Sequence, residues 1–446
     1  MATQSTWDKT YNIPTGTLRI KLTYDSSWTA DRLSFDIIES LVFNYGYEDD
    51  DALTFYPNSV KLSFTDFNKK NYDILKLSIG EYANTFPANY EDYSGVEIWY
   101  NGNLKFKGYI DPLTLDYKDR ERVISFEAID RSRTLKDMSV EQPDSMPAGP
   151  NKYYSLEHLI YEIYKLVFPD LANNITTSRT FTNGIYFNHD WEFTGSDPYT
   201  LNKVTKSWSS DFNVICFDWF RCGMWGADRY SLTYKDLIKQ LAFQFGMVIG
   251  TLDYNKVYMT KRFNIANANP TNINNVLIEN YTRTLHLNVL QGVRNTNIYV
   301  YNTGGTQYFT AGSVEVINAE EQLRYPGLVR EFTTYIGETD TSVTTSIAIK
   351  QGGVWYYVYE WPTAGLGVYD PVLSFRGHIA QTICNWTYQS RIRPKDRIDC
   401  KLKGIDYELI DFYSLTSDSH PTVIFRPMEM KKDYLTNQTS ITGIEV

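Results

Sequence analysis

Residues 96–110 leave the chain little choice of structure. Val96, Ile98 and Tyr100 alternate with Glu97 and Trp99, Asn101-Gly102-Asn103 follows, and Leu104, Phe106 and Ile110 alternate with Lys105 and Lys107. A period of two on both sides of an Asn-Gly pair predicts a β-hairpin, because the tight turn needs left-handed backbone that Gly adopts freely and Asn at little cost. A second hairpin is written immediately after it. Leu113, Leu115 and Tyr117 lead into the charged turn Lys118 to Glu121, and Ile124, Phe126 and Ala128 return. Leu18 to Tyr24 and Val60 to Phe64 alternate in the same way, with the acidic Glu48 to Asp51 as a loop between them. Residues 16–130 therefore read as a β-meander with one wet face.

Composition extends this bias to the whole chain. Tyr 36, Phe 23 and Trp 10 make 15% of the 446 residues aromatic, and such side chains favour pleated, half-buried surfaces. With 42% hydrophobic and 22% charged residues, real cores are within reach, and the length suggests about three domains, or one elongated β-rich body with insertions. The expected fold class is mainly β (α+β).

After Ala128 the text turns to Ile129-Asp130-Arg131, and the Pro- and Gly-containing stretch Gln142 to Pro150 loosens the chain. A domain boundary is expected at 136–152. Ser155 can cap a helix whose apolar positions Leu156, Leu159, Ile160, Ile163, Leu166 and Val167 share one face, and Pro169 stops it. The next ~60 residues are long for a loop and hold Trp191, Trp208, Trp219 and Trp225. A second helix begins at the capping-box-like Thr233 to Asp236, carries Leu237, Leu241 and Phe245, and closes at Gly246. A hairpin follows, from Met247 to Leu252 and from Val257 to Thr260 about Asp253-Tyr254-Asn255. Beyond the Asn-rich stretch 264–275, Val293 to Tyr301, Val354 to Glu360 and Ile398 to Leu402 alternate as strands, one helix carries Ile379, Ile383 and Trp386, and Thr422 to Phe425 and Ile441 to Val446 close the chain, with Pro427 marking an edge or a break. The expected domains are 1–135, a first β-barrel; 136–280, helices and a hairpin with the aromatic-rich insertion 170–230; and 281–446, a second β-barrel with one helix.

Catalytic and cofactor signals are sparse. Gly246 to Gly250 and Gly304-Gly305 lack the spacing and the Lys of a phosphate loop. The histidines, His158, His189, His286, His378 and His420, stand singly, whereas zinc needs clustered ligands. No G-x-S-x-G elbow occurs. Cys216, Cys222, Cys384 and Cys400 have no C-x-x-C pairing, so reduced, packed thiols are expected. No cofactor and no metal are therefore expected. Two carboxylates suffice for a glycosidase, and the tryptophans could stack on sugars, so a carbohydrate-binding surface protein or a glycan-degrading component stays open as the alternative. A net charge of −10 is a poor footprint for gripping phosphates and suits a surface that DNA passes. Neither a signal peptide pattern nor a run of ~20 apolar residues is found, so no membrane anchoring is expected.

Three texts together carry a resemblance: the Val96 to Asp111 hairpin; Val123 to Leu135, a strand ending in Ala128-Ile129-Asp130 and a basic turn; and Leu237 to Met259, helix then hairpin. Ile379 to Arg391 and Leu409-Ile410-Asp411-Phe412-Tyr413 extend it towards the end. In element order over nearly its whole length, the chain resembles the baseplate or tail hub proteins of tailed bacteriophages, related to the N-terminal part of type VI secretion spike proteins. The resemblance implies two tube-like β-barrel domains with a helix-containing inserted domain, packed as a homotrimer that matches a hexameric tail tube to a trimeric tip. It also implies a non-enzymatic virion protein assembled in the host cytoplasm, touching the tail tube protein and the tip or spike protein and lining the channel of genome ejection. The Trp191, Trp208, Trp219 and Trp225 segment is then expected at a subunit or neighbour contact, since Trp is a common interface anchor.

Overall fold

The computed structural model describes residues 4–27, 30–47, 54–67, 69–80, 94–139, 153–176, 178–188, 216–218, 233–244, 247–261, 270–273, 277–286, 290–302, 306–317, 328–339, 346–351, 354–359, 395–417 and 420–446. The fold is mainly β. Its first part comprises β1 (Gln4–Ile13), β2 (Gly16–Asp25), β3 (Ile38–Gly46), β4 (Ser59–Thr65), α1 (Lys70–Gly80), β5 (Gly95–Tyr100), β6 (Asn103–Ile110), β7 (Asp116–Lys118) and β8 (Val123–Asp130). The expected hairpin is β5–β6, and Asn101 (φ 49°) and Gly102 (φ 79°) both take the left-handed backbone of its turn.

The strand order is not that of a meander. It runs β1-β2-β5-β6-β8-β4-β3, so β4 keeps β3 on one side and on the other lies antiparallel to the distant β8, with Leu62 opposite Phe126. One face of β2, β4, β5, β6 and β8 is apolar: Leu18, Ile20, Leu22, Val60, Leu62, Phe64, Val96, Ile98, Ile110 and Ile124 are completely buried. The sheet curls. Trp7 on the first strand of this order meets Phe64 on the sixth edge to face, with ring centroids 5.8 Å apart, and Phe35 stacks on Phe64 at 4.4 Å. Lys9 Nζ donates to the carbonyls of Phe35 (3.1 Å) and Asp36 (3.3 Å), and the Tyr11 hydroxyl donates to Phe35 O (3.3 Å). Side chains thus bridge β1 to the segment leading into β3, and among the described residues no backbone ladder closes the ring. The second hairpin forms as β7–β8, but Leu113 sits on the 3₁₀ turn Pro112–Thr114, 93% exposed, and not on a strand.

The middle part holds β9 (Tyr153–Ser155), α2 (Leu156–Lys165), β10 (Ile175–Thr176), β11 (Gly184–Asn188), β12 (Cys216–Asp218), α3 (Tyr234–Gln244), β13 (Met247–Asp253) and β14 (Lys256–Lys261). Helix α2 buries Ile160, Ile163 and the following Val167 as its spacing predicts, whereas Leu166 is 41% exposed. Helix α3 has its capping box: Thr233 Oγ1 accepts from Asp236 N (3.2 Å) and donates to the Asp236 carboxylate (2.7 Å). Part of the 170–230 insertion is sheet, since β11 runs parallel to β14 with Ile185 opposite Val257. Trp191, Trp208, Trp219 and Trp225 lie outside the described residues, as do Glu48 to Asp51 and the expected helix at Ile379 to Trp386.

The last part holds β15 (Thr271–Ile273), β16 (Ile278–His286), β17 (Leu290–Asn302), β18 (Thr306–Ile317), β19 (Leu328–Thr339), β20 (Ser346–Gln351), β21 (Val354–Tyr359), β22 (Lys395–Lys403), β23 (Tyr413–Ser417), β24 (His420–Asp433) and β25 (Gln438–Glu445). Strands β17, β18 and β19 form a small sheet, and β20 and β21 join β12 and β9 in another. The remainder continue the first sheet in the order β3-β24-β25-β22-β16. Pro427 does not end its strand. It lies at a register shift between Pro427 and Glu429, where a missing N–H costs no ladder bond, and β24 runs on to Asp433. Before this bulge one edge of β24 pairs with β23, Tyr413 opposite Phe425; after it the same strand pairs with β3, Glu429 opposite Gly46 through Asp433 opposite Val42. One strand therefore joins the two ends of the chain in one sheet, over one hydrophobic core reaching from Trp7 to Ile441.

Candidate functional site

Three distant stretches converge where β3, β6, β13, β14 and β24 meet. Tyr45, Lys105, Asp253, Tyr258, Glu408, Lys432 and Tyr434 surround a cavity of about 50 Å³. Lys105 reaches Asp253 at 3.2 Å across 148 residues of sequence, and Lys256 reaches the same carboxylate oxygen at 3.5 Å. Lys432 Nζ lies 5.4 Å over the ring of Tyr45. Tyr434 meets Phe43 at 4.8 Å and Tyr100 at 4.9 Å. At one side Tyr47 donates its hydroxyl to Leu409 O (3.2 Å), and Arg179 binds Asp411 (2.6 Å) and Glu408 (3.0 Å).

Electrostatics at this junction favour structure over reactivity. Burial pushes the phenols of Tyr45, Tyr258 and Tyr434 up, and nearby Asp253 adds to the push on each. They stay protonated, so none supplies a phenolate. Burial also moves Lys432 down, while Asp253 and Glu408 oppose that shift. A cavity this small has room for ordered water and not for a substrate. What the arrangement does is fasten the middle hairpin to both ends of the chain.

A second clasp lies nearby. Asp130, which ends the Ala128-Ile129-Asp130 text, accepts hydrogen bonds from Asn58 N (2.9 Å), Ser132 N (2.8 Å), Ser132 Oγ (2.5 Å) and Thr251 Oγ1 (3.4 Å). Burial raises its carboxyl to about 6 against the pull of those donors. It ties the strand before it, the turn after it and β13 together. Gly250 beside Thr251 permits a close approach: a Cβ there would stand 2.1 Å from the Phe55 ring, and Phe55 N donates to Ile249 O (3.2 Å).

Cys400 is buried, and burial pushes its thiol to about 12, so it packs as a small apolar side chain. Among the described residues no three His, Cys, Asp or Glu side chains gather as metal ligands. The sequence signalled the Asp253-Tyr254-Asn255 turn and the Lys105 position, but no local pattern links them. The far end of the sheet is open: among the described residues β16 pairs only with β22, and Leu277 and Leu285 beside and on it are exposed.

No protein-family model matches the chain, and no curated protein matches its sequence. Solved structures do match it. The 43 kDa tail protein of prophage MuSo2 from Shewanella oneidensis is 9% identical, covering 96% of this chain and 98% of that one at a TM-score of 0.44. A tail protein from Neisseria meningitidis MC58 is 8% identical, with 92% of each chain covered and a TM-score of 0.46. The E. coli c3393 protein, described as a type VI secretion component with structural similarity to the T4 tail proteins gp27 and gp5, is 8% identical, covering 96% of this chain and 76% of that one at 0.38. Two of these neighbours are thus named as tail proteins and the third as a type VI secretion component.

Proposed function

We propose that the chain is a structural, non-enzymatic virion protein of a phage tail: a hub that stands as a homotrimer between a hexameric tail tube and a trimeric tip and lines the path of the genome. The observation that carries this reading is the passage of β24 from one end of the chain into the other. A wall that transmits force gains from hydrogen-bonded ladders running through the whole subunit, because load is shared among backbone bonds. The edge at β16, without a second neighbouring strand among the described residues, offers backbone groups that a neighbouring copy can cover. A net charge of −10 suits a wall that repels DNA phosphates.

In this reading the domains divide near residues 135 and 280, and the segment bearing Trp191, Trp208, Trp219 and Trp225 meets a neighbouring subunit, the tube protein or the tip protein. Replacing both Trp208 and Trp219 with Ala is expected to impair particle assembly, scored by counting intact tails in micrographs; normal assembly removes that assignment. The test of the function is to image particles carrying a labelled copy of the chain. Label between tube and tip, in three-fold array, is the expected result; label elsewhere, or particles that lack the chain, would overturn it.

A further inference from the structure

The outer face of the first sheet carries a groove of about 720 Å³, and its charge is opposite to that of the chain. Its floor is built from alternate positions of four neighbouring strands: Glu127 on β8, Lys61 and Ser59 on β4, Asn44 on β3, and Lys431 and Glu429 on β24. Arg133 and Lys136 from the turn after β8, and Lys235 from α3, also line it. Five cations thus line the groove with two carboxylates on a chain whose net charge is −10; of the five, Arg133 also holds Asp111 at 3.1 Å, and Lys61 stands opposite Glu127 in the β4–β8 ladder. Lys61, Lys136 and Lys431 are exposed, and among the described residues no carboxylate lies within 4 Å of their ammonium groups. Asn44 and Ser59, hydrogen-bonded to each other at 3.2 Å, put amide and hydroxyl groups in the middle of the floor. The strands that hold these residues are backed by buried Val60 and Leu62 on β4, Phe43 on β3, Ala128 on β8 and Met430 on β24, so the charges sit on a fixed surface.

From this geometry we propose that the groove is a docking site for an extended, acidic polypeptide segment of a partner protein. A strand-like segment advances about 3.3 Å per residue and presents alternate side chains to one face, so its acidic side chains can meet Lys61 on β4 and Lys431 on β24, on either side of β3, and the cations on the wall beside them. Glu127 and Glu429 within the groove disfavour a polyphosphate backbone, whose charge is denser than that of a carboxylate peptide and would meet them directly. The proposal does not depend on the tail reading, since it rests on the groove alone.

The test uses the full chain and a fluorescein-labelled octapeptide alternating Asp and Ala, followed by fluorescence anisotropy. Binding is expected to weaken with added salt and to fall at least tenfold in the double variant Lys61→Glu, Lys431→Glu. These are exposed positions, and an unchanged circular dichroism spectrum certifies the fold. A second variant, Glu127→Gln with Glu429→Gln, removes the two negative charges and is expected to tighten binding severalfold. Absence of peptide binding, binding unaffected by both double variants, or stronger binding of a twenty-nucleotide single-stranded DNA than of the peptide would each overturn the proposal.

Discussion

The interior of the curled first sheet and the junction around Asp253 are both rich in aromatic rings, yet different forces hold them. In the first, Trp7, Phe35, Phe64 and Phe126 touch ring to ring and contribute no charged group. In the second, Tyr45, Tyr258 and Tyr434 share their space with Lys105, Asp253, Lys256 and Lys432. Apolar burial is indifferent to pH and to moderate salt, whereas half-buried ion pairs respond to both. The difference teaches where such a subunit can be tuned: the first sheet fixes the shape, and the junction sets how firmly the middle of the chain is held to it.

The contrast is broken most forcefully at Phe64, which is completely buried. Phe64→Ala is expected to lower stability by about 4 kcal/mol through lost burial and the cavity left behind. Denaturant unfolding at low and high salt should give the same loss. Asp130 sharpens the comparison from the other side. Its folded carboxyl is raised from 3.8 to about 6, so its contribution is fully present below the unfolded value and is lost as pH rises through about 6. The loss is about 3 kcal/mol at ~1.4 kcal/mol per unit. Stability measured between pH 3 and 7 should fall in the native chain by that component, and the component should be missing from Asp130→Asn, whatever that variant's absolute stability. Smaller still is Asp253→Asn. It removes a carboxylate shared by two lysines whose side chains are about a quarter exposed, and is expected to cost about 1–2 kcal/mol. Here the cost should shrink in 1 M salt, and a salt-independent cost would erase the distinction between the two regions.

The same contrast explains what could be read from the residues. Hairpin β5–β6 was legible because Asn101-Gly102 and a period of two are local, and α3 because Thr233 and Asp236 are three residues apart. Strand β1 was not: Trp7 is its one buried residue, since its role at the end of the sheet is to reach Phe35 and Asp36 with side chains. Helix α1 is short and nearly as polar as it is apolar, so it shows no clear stripe. The order of strands eluded the reading for another reason. Nothing near Val60 states that β4 will lie beside β8, and nothing near Pro427 states that β24 will pass its bulge and pair with β3. Leu113 and Leu166 show the converse, where apolar spacing predicts burial and the described residues leave Leu113 almost wholly exposed and Leu166 partly so. At the junction, each member has an ordinary local role as turn or strand residue, and only the pairing of Lys105 with Asp253 gives the site its character.

We propose that a subunit unified by β24 stands in a ring with copies of itself. Native mass spectrometry of the purified full chain, over a range of concentrations, tests it most directly. A species of three chains that persists on dilution is the predicted result; a single chain at every concentration would contradict the account.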